Sequence, residues 1–153
     1  MAKTLGFMLT WTTYGSWLQG DNRKYVKDGK ILDGDEKLYE ICKHLQKSPA
    51  VKLNRNDRQI IQRAILSEAQ RIKLEVGALA VCSNHVHLLL RYSPMPIGSL
   101  VSRFKNVSTF ALKQHGRSER VWTRGFDKRF CYDNDRFDAY IKYINKHNVS
   151  SPR

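Results

Sequence analysis

The sequence predicts an α+β fold, an antiparallel sheet with helices on one face and an extra C-terminal helix. Three observations carry this reading. Stretches rich in β-branched and aromatic residues alternate with stretches whose apolar residues recur every three or four positions. Turn and cap residues separate the two kinds. At 153 residues with 41% apolar content, the chain is long enough to bury a core as a single domain spanning 1–153.

Leu5 to Tyr14 (LGFMLTWTTY) reads as the first strand. The polar, basic segment from Asp21 to Asp35 holds Asp-Gly and Gly-Asp pairs and predicts a surface loop or small hairpin. Leu38, Ile41 and Leu45 sit at helical spacing, so a short helix is expected over Asp35 to Gln46. Asn56 or Asp57 can cap a longer helix running to about Glu75, with Gly77 ending it. Ala78 to Ser83 and His85 to Tyr92 predict two antiparallel strands joined by a tight turn at Ser83-Asn84. A second helix is expected over Ile97 to His115, stopped by Gly116. Val121 to Tyr132 predicts a strand kinked at Gly125, and Asn134 or Asp135 caps a last helix over about Arg136 to Asn148. Without the short N-terminal helix, the order is that of a ferredoxin-like split βαβ unit, and the terminal helix is left to cover the open face or an edge.

Lys and Arg outnumber Asp and Glu 27 to 14, a net charge of +13. Such an excess suits a polyanion, nucleic acid before acidic membrane. Cys42, Cys82 and Cys131 are dispersed and form no CxxC pair, which argues against a disulfide framework or a zinc ribbon. No run has the length of a membrane span, and no signal-like N-terminus is evident, so the expected location is cytoplasmic.

The chemistry concentrates at Asn84-His85-Val86-His87. On a strand, residues i and i+2 share a face, so His85 and His87 point the same way while Val86 points into the core. Two imidazoles on a rigid strand are half of a metal site, but the pair taken alone fits an edge strand with exposed histidines better. On the last helix Tyr143 and His147 stand at i and i+4, one turn apart on one face. His147 can add a third nitrogen to a metal held by His85 and His87, which places the Tyr143 hydroxyl nearby. A tyrosine can act as a nucleophile when a cation or base assists it. Tyr140 reads as packing. Basic and aromatic residues interleave over Trp122, Arg124, Lys128 and Arg129, and again around Arg103 and Lys105. That mixture suits a nucleic-acid strand, cations for phosphates and rings for bases, and fits an ordinary two-faced strand and helix equally well. No P-loop and no GxSxG motif is present.

The sequence resembles the single-tyrosine HUH transposases of the REP-associated tyrosine transposase and insertion-sequence kind. The matching residues are Leu9 to Leu18 (LTWTTYGSWL) with Gly20-Asp21, then Asn84-His85-Val86-His87, Phe104-Lys105, Val121 to Asp127 (VWTRGFD) and Tyr143-Ile144, in order over nearly the whole chain. The resemblance implies a ferredoxin-like homodimer acting on single-stranded DNA, often beside a hairpin. It implies that His85 and His87 hold a divalent metal, Mg²⁺ or Mn²⁺, and that Tyr143 attacks the scissile phosphate to leave a 5′-phosphotyrosine and a free 3′-hydroxyl. The family's third ligand is usually Asn or Gln about one turn after the tyrosine. Here His147 stands at +4 and Asn148 at +5, with helix geometry favouring His147. Three histidines would tilt the site toward Zn²⁺ or Mn²⁺. A catalytically inactive nucleic-acid-binding regulator derived from a transposase is the alternative, and an RNA-binding ferredoxin-like domain a third.

Overall fold

The computed structural model describes residues 3–15, 25–27, 30–32 and 51–150. Strand β1 is Gly6–Thr12, β2 Tyr25–Lys27 and β3 Lys30–Leu32. Helix α1 (Arg55–Arg71) follows, then β4 (Val76–Val81), β5 (His85–Arg91), α2 (Ile97–Gln114), β6 (Asp127–Cys131) and α3 (Asn134–Ser150). The main sheet has the order β4-β5-β1-β6, every neighbouring pair antiparallel, and β2 and β3 form a separate hairpin. This is the strand order of the expected ferredoxin-like unit. The short helix expected over Asp35 to Gln46 lies outside the described residues. No described helix is long and apolar enough to cross a membrane.

Alternation along the strands divides the core in two. Phe7, Leu9 and Trp11 of β1 and Val86, Leu88 and Leu90 of β5 point to one face. There they meet Ile61 and Ile65 of α1 and Leu100 and Phe104 of α2. Met8, Ala78, Ala80, Leu89 and Cys131 point to the other face, against Phe137 and Ile144 of α3. The terminal helix therefore covers the second face of the sheet, where small apolar side chains on β4 leave room for it.

Phe137 fixes where α3 lies. A Cβ on Gly77 would come within 2.6 Å of the Phe137 ring, and one on Gly6 within 2.8 Å. The two glycines open a slot for the ring, and the Arg91 guanidinium caps it at 3.7 Å from its centroid. Gly77 sits where the β4–β5 register shifts by one residue, so it belongs to a bulge inside the sheet. That differs from the expected helix stop: α1 ends at Arg71, and Lys73 turns the chain with φ 60°.

The caps also lie upstream of the residues expected. Asn54 caps α1, and Asp57 completes a capping box by accepting from the Asn54 backbone at 3.0 Å. Asp57 is paired with Arg117 as well, which ties the segment after α2 to the start of α1. Asp133 accepts from the Arg136 backbone at 2.7 Å at the start of α3. The strand expected over Val121 to Tyr132 is shorter, because Gly125 takes φ 92° and breaks the pairing. Only an isolated Thr13–Trp122 bridge continues it upstream.

Candidate active site

Strand β5 presents His85 and His87 on the face that α3 covers, opposite Val86, which is fully buried among the α1 and α2 side chains. Across β1 they pair with Thr12 and Thr10. Helix α3 is anchored by Phe137 and, two turns later, Ile144. The same helical stripe continues three and four residues on, at His147 and Asn148. Phe137 packs against the Arg91 end of β5, so α3 runs toward the histidine end of the strand.

The result is one cluster. A ligand atom from each of His85, His87 and His147 lies within 4.8 Å of the others. The His87 ring is 4.7 Å from that of His85 and 4.6 Å from that of His147. Tyr143 joins it edge-on, its ring centroid 4.7 Å from His147 and 5.4 Å from His87. Tyr143 is 45% exposed, so its ring is open to solvent.

Each imidazole is held through Nδ1. His85 Nδ1 donates to Asn84 Oδ1 at 2.8 Å, and His87 Nδ1 pairs with Thr10 Oγ1 at 2.8 Å. His147 Nδ1 donates to the Tyr143 carbonyl at 3.0 Å. Donation from Nδ1 fixes the rings of His85 and His147 and leaves their Nε2 lone pairs for a metal, and the same holds for His87 in the tautomer that donates to Thr10. Burial, helped by the neighbouring His85 and His147, holds the His87 pKa down to about 3. Burial and His147 hold that of His85 down to about 4. Both rings are neutral at neutral pH, the form a metal requires. Asn148 Nδ2 donates to the Leu79 carbonyl at 3.0 Å and latches α3 to β4.

The DNA-contact candidates fall into two groups. Trp122 is only 7% exposed, edge-on to Trp11 with centroids 6.1 Å apart, and donates to Ser108 Oγ at 3.2 Å. It is a core residue and offers no face to a base. Arg103 bonds Glu68 at 3.1 Å across α1 and α2. Lys105 donates to the carbonyls of Thr123 at 2.9 Å and Gly125 at 2.8 Å. Arg124, Lys128 and Arg129 are exposed, with Arg129 near Asp127 at 3.3 Å. Tyr140 packs against the second core, as expected. Sequence reasoning missed Thr10. Only strand register sets it opposite His87.

A family model described as "Transposase IS200 like" matches residues 45–147. No curated protein matches the chain. Among solved structures, a REP-associated tyrosine transposase bound to a REP hairpin is similar to it, with a TM-score of 0.57 and 12% identity over 97% of this chain and 70% of that one. A Deinococcus radiodurans R1 protein assigned as a transposase gives a TM-score of 0.48 at 17% identity, covering 95% of this chain and 92% of that one.

Proposed function

This chain belongs to the IS200-like transposase family, and from that premise we propose that it cleaves and rejoins single-stranded DNA through a covalent 5′-phosphotyrosine on Tyr143. In this reading His85, His87 and His147 hold a divalent metal. The observation that carries the proposal is the convergence of three imidazoles from β5 and α3, with Tyr143 edge-on to two of them.

The residues fit a metal. The rings of His85 and His87 are kept neutral by burial, and Nδ1 of all three is already engaged. An all-imidazole set favours Mn²⁺ or Zn²⁺ over the harder Mg²⁺. When bound, the ion would polarise the scissile phosphate and offset the charge that builds on its oxygens. Tyr143 supplies the nucleophile. Its Oη–P bond forms as the P–O3′ bond breaks. The phenolic proton passes to solvent, and the departing 3′-oxygen takes one up. One phosphodiester replaces another, so rejoining needs no nucleotide triphosphate. His147 is bonded to the Tyr143 carbonyl, so nucleophile and proposed ligand sit on one rigid turn of helix.

The likeness to a transposase bound to a REP hairpin, and the +13 charge, support a substrate with a hairpin beside its single strand. The same reading takes the protein as a homodimer, which light scattering tests. The decisive experiment is incubation with Mn²⁺ and a panel of hairpin oligonucleotides with flanking single strands. The wild type should form a denaturation-resistant adduct, and Tyr143→Phe should lose it while still binding DNA. A wild type that binds and never forms an adduct would make this chain a DNA-binding regulator.

A further inference from the structure

The segment Arg120 to Phe126 is held in place by contacts that hydrophobic packing does not require. Lys105 reaches out from α2 and donates to two carbonyls of this loop, Thr123 and Gly125. The Arg120 guanidinium lies 4.5 Å over the Tyr14 ring, and its Nε donates to the Trp122 carbonyl at 3.2 Å. Gly125 takes φ 92°, so the chain turns sharply between Arg124 and Phe126, both exposed. Lys105 and Arg120 are close enough that the guanidinium, after burial, pushes the Lys105 ammonium pKa down. Among the described residues, no carboxylate pairs with Lys105, Arg120 or Arg124. Two exposed guanidiniums on one held loop, Arg120 and Arg124, with no carboxylate partner suit an anion.

The loop is also next to the histidines. Thr12 is the register partner of His85, and on its other side the Thr12 carbonyl accepts from Thr123 N at 3.0 Å. Thr123 is thus two strand spacings from His85, about 10 Å.

We propose that the Lys105-clamped loop is the seat for the single-stranded DNA next to the scissile phosphate, with Arg120 and Arg124 on its phosphates and Phe126 stacked on a base. Lys105 is a positioning residue, holding the loop without touching DNA. The proposal rests on the single-strand reading of the previous subsection.

Binding of a fluorescein-labelled oligothymidine, measured by anisotropy in EDTA on the Tyr143→Phe background, tests the seat without any cleavage chemistry. Phe126→Ala should weaken binding about tenfold, as loss of one stacked base does, and Phe126→Tyr should restore it. Arg124→Ala should weaken binding several-fold and lower the slope of log affinity against log salt by about 0.7. Lys105→Met should reproduce both losses, and the other two variants decide the matter if it does not fold. A duplex of equal length should not sense Phe126. Arg63 on α1, also exposed, is the control for general charge. Unchanged affinity in Phe126→Ala and Arg124→Ala, or an equal loss in Arg63→Ala, would overturn the seat. An adduct assay that fails while the loop variants still weaken binding would count against the phosphotyrosine reading alone.

Discussion

The Phe137 ring lies where a Gly77 side chain would be, 2.6 Å from the Cβ position. This contact is on the α3 face of the sheet, at the end of β5 away from the histidines, and it sets the seating of α3 along the strands. Gly77→Ala must push the helix off the sheet. The expected cost is about 1–3 kcal/mol of stability, read by chemical denaturation, together with a fall in adduct yield at a temperature where the variant is folded. Full adduct yield would show that Tyr143 does not depend on this seating.

The proposed third ligand is tested at two neighbouring positions. His147→Ala should weaken Mn²⁺ binding, followed by electron paramagnetic resonance, by at least tenfold. Asn148→Ala should leave Mn²⁺ affinity near wild type and cost about 1 kcal/mol of stability through the lost bond to the Leu79 carbonyl. The opposite ranking would move the ligand to Asn148.

Thr10 and Asn84 hold the rings of His87 and His85. Thr10→Val keeps the shape and removes the oxygen, and Asn84→Ala removes its carbonyl. Each should lower Mn²⁺ affinity about 10–100-fold with little change in DNA binding, whereas Thr10→Ser should retain most of it. Isothermal titration of the metal separates these outcomes.

Glu68 bridges the two helices of the first layer, bonding Arg71 through both carboxylate oxygens at 2.7 Å and Arg103 at 3.1 Å. Those arginines, Arg71 first, hold its pKa down to about 2 despite burial. A carboxylate whose folded pKa is depressed stabilises above its unfolded pKa and loses that contribution as pH falls through the folded value. Glu68→Gln should therefore cost about 1–2 kcal/mol at neutral pH. The gap to wild type should close between about pH 4.5 and 2, followed by urea denaturation across that range. A gap that stays constant to pH 2 would mean the carboxylate charge contributes nothing.

Local chemistry was legible along the chain. Alternation around Asn84-His85-Val86-His87 predicted a strand with both imidazoles on one face, and the Tyr143–His147 spacing predicted one helical turn between them. Both signals are periodicities, set by backbone geometry within a few residues. The basic and aromatic pattern at Trp122 misled because composition does not say which side of an element is buried.

By itself, then, the sequence determined the order of the four main-sheet strands and three described helices, the net positive charge and the two local halves of the candidate site. Tertiary structure alone decided that α3 lies on the open face of the sheet, that His147 meets the β5 histidines, and that Thr10 backs His87. The physical reason is separation along the chain. His87 and His147 stand far apart in sequence, and the Phe137 ring in its glycine slot seats the helix that brings them together.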